Sequence, residues 1–341
     1  MAEHIVPPGE SKRFRAGLYL PFIGMASLCL IWTGIWFFSA NRAEAIAEAF
    51  IAREGERGRE WVCPNRSIGG YPFRIVISCV EPRLVTVEPD GLRREGRLGS
   101  LSLHARILSP GHFIAILGAP FVAREGESGM MEIGWTSARA SLRAGAESIT
   151  EASVEIVGPT LAAGAPQQLD IRALAKGIDL HMRRSPGNVA GTDLVALVQD
   201  LTFAPLDHLA GTKDPIRMEF QATAPGLVPD PRARFQDVLE AWRLGGQKAR
   251  VIVLKASKGP AVIDLAGEIG LDEARRPEGN LQGRARGLDG LLGSLTRRGG
   301  VDMGGLLGRL SGGQGMPIAL SLERGRMRFG PFPIAELAPL Y

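Results

Sequence analysis

Two cysteines and a scatter of histidines are the residues of this chain best able to do chemistry. Cys63 and Cys79 bracket the stretch CPNRSIGGYPFRIVISC, sixteen positions apart. An isolated pair of this kind supports a disulfide, a metal site or two inert thiols. A metal site would need further ligands, and no histidine stands near the pair. In an oxidising compartment the disulfide is the expected form. Closing a loop of that length stabilises a fold by about 3 kcal/mol when the bond is unstrained. Cys29 is a different case, because Leu28 precedes it where a lipid-carrying cysteine needs a small residue. It lies in an apolar run and reads as a small filler.

The remaining motifs carry little. His4, His104, His112, His181 and His208 form no HExxH and no close pair with a carboxylate, so no metal site is assigned. His104 and His181 fall on the polar positions of alternating segments and read as solvent-facing. No GxSxG elbow is present, and Ser294 in LLGSLTRR lacks the glycine that should follow it. Leu310 to Gln314 spells LSGGQ, the signature of transporter ATPases, which works only beside a GxxxxGK[ST] phosphate loop. That loop is absent, and the match reads as chance in a glycine-rich stretch. No catalytic residue and no cofactor is assigned, and no enzymatic activity is expected. Lys+Arg 40 against Asp+Glu 36 leaves a net charge of +4, with no basic block interleaved with aromatics. Nucleic acid is therefore not an expected partner.

The element that must position everything else is Leu18 to Ala40, a run of 23 residues without a charge. As a helix it reaches roughly 34 Å, enough to cross a hydrocarbon core of about 30 Å. Lys12, Arg13 and Arg15 precede it and only Arg42 follows closely, which places the N-terminus in the cytoplasm. Trp32, Trp36, Phe37 and Phe38 crowd its outer half, the last three near an interfacial belt. A signal peptide cut at Ala43-Glu44-Ala45 is the alternative, but its apolar core would span only about 7 to 15 residues. From Asn41 to Trp61 the chain is rich in Ala and Glu, with Ile46, Ala49 and Phe50 at helical spacing. This predicts an amphipathic neck continuing the anchor.

Beyond Tyr71 the period changes to two. Leu101, Leu103, Ala105 and Ile107 alternate with polar residues, as do Ile178, Leu180 and Met182, and Ile216, Met218, Phe220 and Ala222. Ala261 to Asp272 and Ile318 to Glu323 do the same. With 44 glycines and 23 prolines in 341 residues, the pattern predicts many strands joined by turns. It is the mark of antiparallel sheet covered on one face. Helices are expected from a Thr192 cap through Leu194, Leu197, Val198 and Leu201, from Ala233 to Leu244, and from Asp289 to Leu295. In the second, Phe235, Val238, Leu239 and Trp242 share a face and Gly245-Gly246 supplies the stop. Residues 297–315 read as a mobile loop.

The chain also resembles a family. Gly70-Tyr71-Pro72-Phe73-Arg74-Ile75, the DVLEAWRLGGQ stretch from Asp237, AVIDLAGEIGLD with PEGNLQGRARGLDGLL, and LERGRMRFGPFP recur in a bacterial family labelled as a domain of unknown function. The third and fourth pieces resemble the C-terminal region of AsmA-like envelope proteins. The resemblance implies a membrane-anchored periplasmic protein with a long curved sheet, whose apolar inner surface would shield lipid. It brings no catalytic residues. The same apolar faces could instead pack together as a closed core. Tyr71 and Phe73, two apart with Pro72 between, fit either packing around the disulfide or an aromatic edge to a lipid-binding mouth.

The expected fold is mainly β (α+β): a transmembrane helix, then a large curved antiparallel sheet with two or three helices. The divisions are a cytoplasmic tail at 1–17, the span at 18–40, the neck at 41–61 and a periplasmic domain at 62–341. The expected role is envelope maintenance at the bacterial inner membrane, with phospholipid or other envelope proteins as partners. A periplasmic scaffold without lipid is the alternative, and a hydrolase the least favoured. A reporter active only in the periplasm, fused after Tyr341, is expected to give signal in cells; silence overturns this topology.

Overall fold

The structure is a computed structural model and describes residues 16–87, 91–109, 111–126, 129–145, 147–187, 190–287, 315–329 and 332–341. The first fifteen residues, the 289–295 helix candidate, Ser294, LSGGQ and all but the end of the 297–315 stretch lie outside the described residues.

Helix α1 runs unbroken over Ala16–Glu56, 41 residues, so the apolar run and the neck are one rod. Its apolar part is long enough to cross a membrane, and almost none of it is buried inside the protein. The neck stops at Glu56 rather than Trp61. Gly58 takes φ 75°, which only glycine adopts freely, and the chain turns into a strand.

The strands follow as β1 (Arg59–Val62), β2 (Ser67–Gly69), β3 (Arg74–Val80), β4 (Arg83–Val87), β5 (Arg93–Arg106) and β6 (His112–Glu125). Next come β7 (Gly129–Gly134), β8 (Ser137–Ala144), β9 (Ile149–Val157), β10 (Thr160–Ala165), β11 (Gln168–Leu174), β12 (Gly177–Arg184) and β13 (Gly191–Phe203). A short helix α2 (Ala204–Ala210) precedes β14 (Ile216–Pro225), and α3 (Phe235–Leu244) precedes β15 (Ala249–Lys258). The chain closes with β16 (Ala261–Leu271), β17 (Pro277–Arg286), β18 (Met316–Glu323), β19 (Arg326–Phe329) and β20 (Phe332–Glu336). All belong to one 20-stranded antiparallel sheet.

Between β3 and β13 this sheet carries a transverse crease. β7 and β8 lie end to end beside β6, β10 and β9 beside them, and β11 and β12 beside those. The breaks fall at Glu81-Pro82, Trp135-Thr136, Gly158-Pro159 and Ala175-Lys176, in line with Ala119-Pro120 of β6 and register shifts in β5 and β13. Proline cannot donate to the ladder, and a bulged residue bends its strand. Backbone bonds still cross from break to break, such as Glu81 N–H to Gly99 O and Gly158 N–H to Lys176 O, 3.0 and 2.9 Å.

Cross-strand partners share a face, and the register makes one face apolar throughout. Ile75 faces Ala105, Ala105 faces Phe113, and Phe113 faces Leu142. The row continues through Ala152, Met182, Leu194, Ala222 and Val251. Gly267, Leu281 and Leu320 extend it to the last strands. The opposite face carries Arg139, Glu155 and Asp179 in one such row.

Coverage of that apolar face differs along the sheet. In β14–β18 it forms a buried core of Ala222, Val251, Ala261, Leu265, Leu281, Ala285 and Ile318. Helix α3 closes the strand ends there, Trp242 packing with Ala224 and Leu227 and donating its Nε1–H to Pro225 O at 2.8 Å. Tyr341 Oη donates to Glu240 on the same helix at 2.8 Å, and Arg243 at 2.8 Å holds that carboxyl down at about 2. Within the strands β3 to β12, among the described residues, Ile75, Cys79 and Ala138 are the buried apolar side chains, joined by Ala175 in the turn between β11 and β12. Leu103, Phe113 and Leu180 keep 42%, 47% and 44% of their surface exposed. The apolar face is therefore covered in one part of the sheet and left largely exposed in the other.

Two expectations fail locally. Residues 194–201 are strand, not helix: Leu194, Ala196 and Val198 pair with β12 and β14 on the apolar face. Asp200 then sits at φ 51° within a register shift, so Leu201 rejoins that face after a three-residue step that mimics helical spacing. Thr192 caps nothing; it is buried and its hydroxyl donates to Leu227 O. Helix α3 forms within the expected Ala233 to Leu244, but Phe235 is exposed on it. Leu281, only 1% exposed, sets the contrast with Leu180. Leu281→Ala is expected to cost about 2–5 kcal/mol in denaturant unfolding and Leu180→Ala under about 1 kcal/mol; equal losses would contradict the unequal coverage.

Candidate functional site

The open apolar face begins beneath the neck. α1 runs alongside the first strands on this face, and between them lies a cavity of about 540 Å³. Ile46 and Phe50 line it from the helix, and Ile75, Ile77, Leu101 and Leu103 from the sheet. Its size falls within the roughly 300–1,000 Å³ typical of small-molecule sites. Helical spacing put Ile46 and Phe50 on one side of α1, and period two put the four sheet residues on one side of β3 and β5.

Polar contacts pin the helix at both ends of the cavity. At the far end Glu54 is buried and takes hydrogen bonds from Arg59 and Arg57; chiefly the Arg59 bond holds its carboxyl below the usual range. Arg66 reaches Glu48 at 2.8 Å and Glu44 at 3.5 Å, tying the chain before β2 to the neck. Phe50 packs on Trp61 with ring centroids 6.2 Å apart. Trp61 also lines the cavity and keeps its indole N–H buried without a partner among the described residues.

At the near end the Gly70–Phe73 segment grips the helix. Trp32 Nε1–H donates to Pro72 O at 2.9 Å and Trp36 Nε1–H to Arg74 O at 2.8 Å. The Tyr71 and Thr33 hydroxyls lie 2.9 Å apart, Tyr71 stacks edge-on to Trp36, and Phe73 packs on Trp32. Gly70 has φ 96°, and a Cβ there would strike Arg74 O, so glycine is required for the turn into β3. Tyr71 and Phe73 remain 54% and 60% exposed, so they do not pack around the disulfide. Their partner is the helix. Trp36 and Ala40 are buried against the sheet, which places the last turns of the 18–40 run on the domain. The backbone of Leu18 is helical.

Cys63 and Cys79 are disulfide-bonded with Cα atoms 5.5 Å apart, joining the turn after β1 to β3 at the cavity wall. Cys29 is free and exposed on α1. The histidines stay apart. His104 lies in β5 and His181 in β12, His112 opens β6 with its Nε2 3.5 Å from Ser141 Oγ, and His208 is in α2; His4 is outside the described residues. Among the described residues no three His, Cys, Asp or Glu side chains are grouped to hold a metal.

A long apolar helix gripped by a one-layer antiparallel sheet, with one apolar face partly uncovered and a cavity at the junction, defines the class. The chain belongs to the family described as an uncharacterized protein conserved in bacteria (DUF2125), whose model matches residues 36–338. No curated protein and no solved structure matches it.

Cys63→Ser and Cys79→Ser are each expected to lower stability by about 3 kcal/mol, and the double substitution no further, since all three lose one bond. Thermal unfolding with and without reductant checks this; clearly unequal single losses would count against it.

Proposed function

We propose that this protein is held in the bacterial inner membrane by α1, with its sheet in the periplasm, and holds lipid acyl chains on the open apolar face as part of envelope maintenance. The observation that carries the reading is the unbroken apolar row from β3 onward, which starts at the cavity under the neck. Exposed apolar surface costs about 25 cal/mol per Å² in water, so a face left this open is stabilised by an apolar occupant. The disulfide suits an oxidising compartment, and the free Cys29 sits in the apolar run. The likeness of the C-terminal strands to AsmA-like envelope proteins points the same way. In this reading the lipid-facing part of α1 ends near Trp36, where the Gly70–Phe73 segment docks.

A second reading, a periplasmic scaffold that recruits envelope proteins and binds no lipid, is favoured by the closed core of β14–β18. A photoreactive residue placed in turn at Leu103, Leu180 and His181 of the full chain separates the two in intact cells. Adducts with the mass of phospholipid are expected at Leu103 and Leu180 and not at His181, which faces the other side. Adducts to protein alone at Leu103 and Leu180 would overturn the lipid reading in favour of the scaffold.

A further inference from the structure

The polar face of the sheet holds a second concavity, behind the gripping segment. It measures about 530 Å³, and Arg74, Arg106, Arg139 and His104 line it together with Phe73 and Leu108. No carboxylate lines it. Arg74 and Arg106 are direct cross-strand partners, an arrangement in which like charges repel. None of the three arginine side chains makes an ion pair or hydrogen bond among the described residues. Glu155 faces Arg139 across β8 and β9 and is not paired with it. Three guanidinium groups around one hollow, with a carboxylate facing only Arg139 and none lining the hollow, call for an anion from outside the chain, and guanidinium matches phosphate oxygens in charge and geometry.

The position of the hollow says where that anion comes from. Arg74 follows Phe73, whose ring packs on Trp32 at 6.0 Å, and its carbonyl takes the Trp36 N–H. Tryptophans closing an apolar helix sit at headgroup depth. Phe73 and Leu108, 60% and 70% exposed, line the hollow together with Ile114 and Ile116, which sets apolar surface beside its three arginines. That pairing suits a molecule with a phosphate head and an apolar body.

We propose that Arg74, Arg106 and Arg139 seat the phosphate of an anionic phospholipid in the outer leaflet of the same membrane, fixing the sheet against the bilayer surface. The proposal rests on α1 being the membrane anchor and is independent of what occupies the opposite, apolar face. It is tested with the full chain in nanodiscs of phosphatidylcholine and phosphatidylglycerol, with native mass spectrometry of the lipids retained after mild detergent release. Phosphatidylglycerol is expected to be retained about tenfold over its share in the disc, about 1.4 kcal/mol. The preference should vanish in the triple variant Arg74→Gln, Arg106→Gln, Arg139→Gln. The single variant Arg106→Gln, which leaves Arg74 without a facing like charge, should fold at least as stably as wild type and retain less of the anionic lipid. Retention in the disc ratio by the wild-type chain, or a preference unchanged by the triple substitution, would overturn the proposal. So would full displacement by millimolar inorganic phosphate, which would make this a free-anion site. Loss of the Leu103 photoadduct with the preference intact would sink the apolar-face reading alone.

Discussion

Everything in this molecule depends on how a one-layer sheet disposes of its two faces. Period-two alternation makes one face apolar, and cross-strand pairing carries that face from strand to strand. Water covers the polar side at no cost. The apolar side must be covered by something, and the chain supplies cover unevenly: a core with α3 over β14–β18, the neck over β3 and β5, and little between. The stability of the domain is thus concentrated at one end and its available surface at the other.

The junction between helix and sheet follows from the same economy. A tryptophan has a large apolar body and one donor, so it is suited to a boundary where backbone carbonyls are left unpaired. Pro72 presents such a carbonyl because it precedes β3, and Arg74 because β2 pairs with β3 only as far as Gly69 and Val76; Trp32 and Trp36 lie one helical turn apart to meet them. The disulfide then fixes the far side of the same short stretch. Helix, segment and first strands therefore move as one unit, and the sheet cannot swing freely on its anchor.

Much of this was legible in the sequence, and the limits have physical reasons. The charge-free run, the alternating segments at 178–182, 216–222, 261–272 and 318–323, the α3 helix and the cysteine pair each depend on local pattern, and local pattern is what a sequence displays. The 194–201 segment misled because a bulge at Asp200 shifts the phase of alternation by one, and a shifted strand resembles a helix over two turns. The short β1 and β2 have too few residues to show a period. The Gly70–Phe73 motif was visible as a motif, but its partner lies about forty residues earlier, and nothing local joins Trp32 to Pro72. The basic hollow was invisible for the same reason: only register brings Arg74 opposite Arg106, and Arg139 reaches the same hollow from two strands away. Alternation also tells which face is apolar and never what lies against it, so it cannot by itself distinguish an open face from a closed core.

The crease has a mechanical consequence. Antiparallel ladder bonds run perpendicular to the strands, hence parallel to a line drawn across them. Rotating one flank of the sheet against the other about that line stretches none of these bonds. The twisting that a strand as long as β5 or β6 would accumulate is also interrupted there. The sheet is therefore stiffer along the line of breaks than across it, and its two flanks can tilt against each other without unpairing a single strand.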